Sequence, residues 1–294
     1  MGVAKAQSRV RSSGRGSDVL PLLPFLLFAG FFLLWPVVAV GIHSFKGNKN
    51  EWTLANFRPI IHAGPYQHAF IVSLKLALIT ASIGSVVGAF FAFVIINFAG
   101  GRLRNVIDSV SAVFANSGGV PLAFMFIAAF GSNGLATKFI RFVGYDIYAG
   151  HFTIFSFTGV VAVYTFFQAP LMILVFQPAL AGLRKEWREA STNLGASSAT
   201  YWRRVGIPIL LPSFIGAFFL LFAGGFSAYA TTAALTSGTV SIVPIVIGAL
   251  VNGNTQATQT NLGASLAVGM IVIALVVMFG YIWAQRLTAK WRRV

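Results

Sequence analysis

The chain has 294 residues, 57% of them hydrophobic and only 9% charged, with a mean hydropathy of +0.81. Soluble domains carry about a quarter charged residues, so a water-soluble core is excluded and the bilayer must act as solvent. The net charge of +15 would suggest nucleic acid in a soluble chain, but here basic loops on one membrane face account for it and no basic domain stands outside the membrane.

Residues 1–18 form a polar, basic tail (Lys5, Arg9, Arg11, Arg15) that is expected to be disordered. Residues 19–67 supply a first transmembrane helix and an external connector. The apolar run Val19–Ile42 is long for a secretory signal and long enough to span, with Pro36 expected to kink it. His68–Phe98 is the second span. Its Thr80, Gly84, Gly88 and Ala92 recur every four positions, a stripe on which another helix can approach closely. Lys75 reads as a lysine snorkelling to the headgroups rather than as a substrate contact.

After a short basic turn (Arg102, Arg104), Val110–Phe130 is the third span, broken by Asn116-Ser117-Gly118-Gly119. Such backbone at membrane depth is expected only where it is buried in protein or lines a wet cavity. Phe152–Leu180 is the fourth span, Ser213–Thr236 the fifth and Leu262–Ala284 the sixth. Ile242–Val251 is too short to span and suits an interfacial or re-entrant segment.

Six spans place both termini and the polar loop Gly182–Pro212 on one side. That side holds fifteen of the 21 Lys and Arg residues, the other side five, and Lys75 completes the set. The excess assigns the first side to the cytoplasm. Cysteine is absent, which excludes disulfides, thiolate metal sites and cysteine nucleophiles. His43, His62, His68 and His151 lack ligand spacing, and the six scattered acids form no catalytic constellation.

Within the loop, Leu183, Trp187, Ala190 and Leu194 share one face of a short amphipathic helix. Gly195 can end it in the left-handed conformation. Ser197 can cap a second short helix through Val205, which Pro208 stops. Periodicity leaves two readings open: an interfacial pair with Trp187, Tyr201 and Trp202 among lipid headgroups, or a knob that docks in another protein.

Glu189-Ala190-Ser191, three residues, Gly195, nine residues, then Val205-Gly206-Ile207-Pro208 resembles the EAA loop of bacterial binding-protein-dependent ABC importer permeases. Ser191, Val205 and Ile207 are conservative departures from that pattern. The resemblance spans residues 68–290 and implies an all-α integral membrane fold with six transmembrane helices, like the type I importer permeases. It makes 68–290 the permease domain, with a coupling loop at 182–212, and 291–294 a cytoplasmic tail. It further implies a multi-pass protein of the bacterial inner membrane, two copies of an ABC ATPase subunit carrying ATP and Mg, a second permease chain and an extracytoplasmic substrate-binding protein.

No G-x-x-x-x-G-K-[ST] sequence is present, so this chain binds no nucleotide of its own and is a non-catalytic subunit. A weaker likeness around Gly118–Pro121 and Phe130–Gly134 points to polyamine, iron(III) and phosphonate permeases. The favoured cargo is a polyamine-type small polar solute, with sugar import and a self-sufficient secondary transporter as alternatives. The absence of acids within the spans counts against a polyamine route dominated by this chain. Gln168, Ser227 and Tyr229 are the candidate pathway residues; ordinary interhelical hydrogen bonds are the competing explanation.

Overall fold

A computed structural model describes residues 22–47, 50–62, 64–150, 152–253 and 259–289, with side chains through Ile282. The tail 1–18, the start of the first run, His151 and the terminal basic residues Lys290, Arg292 and Arg293 lie outside the described residues, as does the Arg286 side chain. Six helical segments are long and apolar enough to cross a membrane. Besides a short helix at Arg58–His62, the main helices are α1 (Leu23–Ser44), α2 (Gly64–Phe98), α3 (Gly101–Asn116), α4 (Val120–Phe130), α5 (Leu135–Phe142) and α6 (Phe157–Ala181). These are followed by α7 (Lys185–Asn193), α8 (Ser198–Ser227), α9 (Ala230–Thr236), α10 (Val243–Val251) and α11 (Thr260–Ala289). Extended pairing among the described residues is confined to the isolated Lys46–Trp52 bridge.

Helix α1 absorbs Pro36 by a π-helical turn over Gly30–Leu34. Proline lacks an N–H and its ring crowds the carbonyl four residues earlier. Here that carbonyl belongs to Phe32, inside the widened turn, so the helix continues. No residue in the apolar window of α1 is buried; its far end is the part held by the chain. The Ser44 carbonyl accepts from Asn56 Nδ2 (3.0 Å) and from Ser265 Oγ on α11 (3.1 Å).

The small-residue stripe on α2 is buried as expected: Thr80, Gly84, Gly88 and Ala92 all face the interior. A Cβ on Gly88 would stand 2.5 Å from both the Ala169 carbonyl oxygen and Met172 Cβ. Leu76 clusters with Val160 and Tyr164, whereas Ile95 clusters with Phe176 and Leu180, so α2 and α6 run parallel. Helix α3 runs the other way along α6, with Asp108 at the level of Gln177 and Phe114 at the level of Phe166. Lys75 is exposed, off the buried stripe.

Two expectations need correction. The third crossing does not begin at Val110 but earlier: that position lies inside α3, which carries Arg102, Arg104 and Asp108 and is amphipathic rather than uniformly apolar, and the crossing continues after the expected break at 116–119 into α4. By apolar length alone the stretch is Val120–Phe142, but α4 completes the crossing that α3 begins along α6, and α5 follows it across a tight turn. Side chains at Gly131 or Gly134 would strike the Ile127 and Ala129 carbonyls, so the turn needs both glycines. Nor does Pro208 end a separate second helix of the loop. Ser197 caps as expected, accepting from Thr200 N–H at 3.2 Å. The helix then passes through a π-helical turn, Trp202–Gly206, and on to Ser227. Pro208 falls just after that turn, where the widened backbone removes the clash. The helix of the fifth crossing therefore runs Ser198–Ser227, and α9 continues that crossing as a separate segment in the outer layer.

Beyond the turn after α5, Asp146 accepts from Tyr148 N–H (2.9 Å) and pairs with Arg141 (3.2 Å). Those two contacts, the backbone donor first, hold its carboxyl below the usual range. Helix α10 is short, as expected of a segment that does not span. It packs with the starts of α2 and α11, and its Val243 N–H donates to Ser73 Oγ at 2.9 Å.

The α2–α6 contact generates a direct test. Gly88→Ala should destabilise the folded protein by about 1–3 kcal/mol through overpacking, read as a lower thermal midpoint in mild detergent. A midpoint equal to that of the parent protein would contradict the close approach.

Candidate functional site

Helix α7 is shorter than the expected Leu183–Leu194, and none of its residues is buried. Leu183 packs on the inner hydrophobic cluster and holds the start of the loop. Trp187, Ala190 and Leu194 of the same face are exposed, Leu194 to 86%. The Arg184 guanidinium lies 5.8 Å from the centre of the Trp187 ring. Glu186 sits in the first turn, where the helix dipole favours negative charge.

The helix ends as its sequence suggests. Gly195 has φ +76°, a region that favours glycine. Its N–H donates to the Thr192 carbonyl (2.9 Å) and Ala196 N–H to the Ser191 carbonyl (3.0 Å), the paired bonds of a Schellman terminus. Glu189 and Ala190 are exposed and Ser191 half-buried. These three and Gly195 thus stand on one projecting helix and its cap. Val205, Ile207 and Pro208 instead belong to α8: Val205 and Pro208 are half-buried and Ile207 is exposed.

The loop's aromatics divide. Tyr201 is buried and Trp202 is half-buried, edge-on to Phe93 at 5.4 Å. Trp202 fastens the start of α8 to α2, with the buried Tyr201 ring edge-on beside it at 5.7 Å. A Cβ on Gly206 would meet the Trp202 ring at 2.5 Å, so the indole position depends on that glycine. Trp187 alone of the three stays exposed.

A polar tie missed by the sequence reading sits at the base of this loop. Gln177 Nε2 donates to Asp108 Oδ1 at 2.7 Å, and Arg104 stands 3.8 Å from the other carboxylate oxygen. The i,i+4 spacing of Arg104 and Asp108 was visible in the sequence; their partner on α6, 69 residues away, was not.

The three candidate pathway residues are not brought together. Gln168 is buried to 1% exposure where α2, α6 and α8 meet. Its Nε2 donates to Thr80 Oγ1 (3.3 Å) and to the Leu221 carbonyl (3.2 Å), while Oε1 has no partner among the described residues. Gly84 and Gly225 make room for this amide: a Cβ on Gly225 would lie 3.1 Å from Nε2. Ser227 is exposed, with Oγ returned to the Ala223 carbonyl at 2.9 Å. It lines a mainly apolar groove of about 920 Å³ between α8 and α11, with Ser213, Gly216 and Phe226. Tyr229 is exposed and packs near Gly248 of α10. Among the described residues no group of His, Asp or Glu could hold a metal ion.

Residues 83–294 match the family model described as "Binding-protein-dependent transport system inner membrane component". The chain belongs to this family. It is thus a multi-pass inner-membrane component with the helical fold of the ABC importer permeases. The probable sulfate transport system permease protein cysT of Helicosporidium sp. subsp. Simulium jonesii is 27% identical over 187 residues, covering 63% of this chain and 65% of that relative. The molybdenum transport system permease protein ModB of Mycobacterium tuberculosis is 25% identical over 255 residues, covering 85% of this chain and 88% of the relative. A solved bacterial ABC transporter involved in the import of the acidic polysaccharide alginate shares the fold, with TM-score 0.71 at 14% identity over 94% of this chain and 98% of that one. These relatives are named for sulfate, molybdenum and alginate, and they lend no support to the polyamine expectation.

The tie at the base of the loop can be checked. Asp108→Ala leaves the buried Gln177 amide without its acceptor and should cost about 1–3 kcal/mol, whereas Asp108→Asn keeps a carbonyl acceptor and most of the stability. Equal thermal midpoints for the alanine variant and its parent would refute the tie.

Proposed function

We propose that the chain is the permease subunit of an ATP-driven importer and that α7 is the lever through which ATPase subunits act on it. One observation carries this reading: α7 projects with Trp187, Ala190 and Leu194 uncovered, on a loop whose residue spacing is that of the EAA pattern. Small side chains at Ala190 and Ser191 permit close approach by a partner. Glu189 supplies a charge for a basic residue there, and the Gly195 terminus fixes the turn into α8. Val205, Ile207 and Pro208 carry that turn into the fifth span, so a push on α7 reaches α8 through a continuous helix.

The excess of basic residues on the α7 side puts that side, and both termini, in the cytoplasm. Two ATPase copies holding Mg–ATP, a second permease chain and an extracytoplasmic binding protein complete the assembly. A self-sufficient secondary transporter is disfavoured, because ion coupling draws on intramembrane carboxylates and, among the described residues, the one Asp or Glu on a crossing helix is Asp108, held near the α7 end by Gln177 and Arg104.

The same feature bears on cargo. A cationic solute calls for carboxylates or aromatic faces along its route, whereas an anion is repelled by carboxylates. Together with the sulfate and molybdenum names of the relatives, this favours a small inorganic oxyanion. Its pathway includes Ser227 and Tyr229 at the end of α8, with Gln168 behind them as an interhelical contact.

The experiment is ATP-dependent uptake into proteoliposomes holding the assembled complex, with sulfate, molybdate and spermidine compared. Oxyanion uptake should exceed spermidine uptake; preferred spermidine uptake would overturn the cargo assignment. Glu189→Lys removes a charge-assisted contact worth about 1.5–3 kcal/mol, so ATPase binding should weaken by about tenfold or more. Gly195→Pro cannot adopt the positive φ and should likewise insert but not transport. Unchanged uptake in both variants would sink the lever assignment.

A further inference from the structure

The buried side chains separate into layers across the membrane. Near α7, one cluster joins the inner lengths of α2, α6 and α8, ending at Phe226. Beyond it, a second cluster joins α4, α9 and the outer parts of α2 and α6, with Leu122, Phe126 and Leu235 among its members. Helices α2 and α6 pass unbroken through both layers. The other two routes break between them: α3 stops at Asn116 before α4, and α8 stops at Ser227 before α9.

Those two breaks are joined. Gly119 N–H donates to Thr231 Oγ1 at 2.9 Å, and the Thr231 hydroxyl donates to the Gly119 carbonyl at 3.1 Å, across 112 residues of sequence. Gly119 has φ 89° and ψ −152°, a conformation essentially restricted to glycine. Neighbouring Gly118 has no atom of the described residues within 4 Å of a would-be Cβ, so the first break has open space beside it. The hydroxyl of Ser227 is spent on its own helix.

We propose that α4 and α9, clasped by Thr231 and Gly119, form one gate leaf that swings about the two breaks when α8 is moved from the α7 side. Thr231 is the positioning residue of this leaf. Two hydrogen bonds hold α4 to α9. The leaf packs on unbroken α2 and α6 through the apolar contacts of the second cluster, Phe126 meeting Phe166 at 5.0 Å, and its polar contact to α6 is made by the Tyr164 and Thr232 hydroxyls, 2.9 Å apart. The swing keeps the clasp and releases the hydroxyl contact. The proposal rests on the importer reading above, because it needs α8 to be driven.

The test uses the complete complex with Thr231→Val, Thr231→Ser and Tyr164→Phe, measuring membrane insertion, ATPase co-purification, ATP hydrolysis and uptake. Thr231→Val should insert, retain its ATPase and hydrolyse ATP, while uptake falls by about tenfold; Thr231→Ser should behave as the parent, and Tyr164→Phe should keep uptake. Parent-like uptake by Thr231→Val overturns the leaf, as does a parallel fall in hydrolysis and uptake, which marks the clasp as merely structural. Loss of ATPase co-purification in the parent complex would instead defeat the importer reading. Since the chain has no cysteine, Gly118→Cys provides a second readout with an impermeant thiol reagent applied opposite α7. Labelling should depend on nucleotide in the Thr231 background and become independent of it with Thr231→Val. Identical labelling in the two backgrounds also overturns the proposal.

Discussion

The structure depends on the approach of three helices around one buried amide. Helix–helix association in lipid gains nothing from hydrophobic transfer, so packing and interhelical hydrogen bonds must hold the bundle. Gly84 and Gly88 let α2 lie against α6, and Gly225 lets α8 close over the same point, where a Cβ would stand 3.1 Å from Thr80 Oγ1. Gln168 fills the junction and bonds to both neighbours. The parallel course of α2 and α6 and the closing of α8 over them meet at this contact.

That arrangement also divides the labour among the helices. The crossings that pack through glycine, α2 and α6, run unbroken, whereas the route through α3 and α4 and the route through α8 and α9 are each interrupted near mid-membrane. Irregular backbone at this depth survives only when its polar groups find partners. Gly119 finds them in Thr231, and Ser227 satisfies carbonyls of its own helix. Motion has room at the first of these breaks and little at the glycine seam. In the proposed importer, force entering at α7 therefore passes along α8 to its broken end.

Much of this architecture was legible in the sequence. Apolar runs marked the crossings, four-residue spacing marked the buried stripe on α2, and Gly195 and Ser197 marked the turn after α7. Local chemistry determines each of these. What stayed hidden depends on distant partners or on backbone detail. Pro208 looked like a stop because its clash is local, while the π turn that relieves it is not encoded by any single residue. The helix carrying Asp108 read as a connector because its charges masked the side facing α6. Gln168 read either as a pathway residue or as an interhelical contact because polarity at membrane depth is ambiguous until the neighbouring helices are placed; the Trp202 ring, for which a headgroup position was one of two open readings, packs against Phe93.

The central claim is that the bare face of α7 is a docking surface for an ATPase subunit. The direct measurement places a photo-crosslinker on a single cysteine, Leu194→Cys, in this cysteine-free chain within native membranes, and identifies the adduct by mass spectrometry. The account predicts a cross-link to an ABC ATPase subunit whose yield changes when nucleotide is trapped. Adducts to lipid alone, at a yield indifferent to nucleotide, would contradict it.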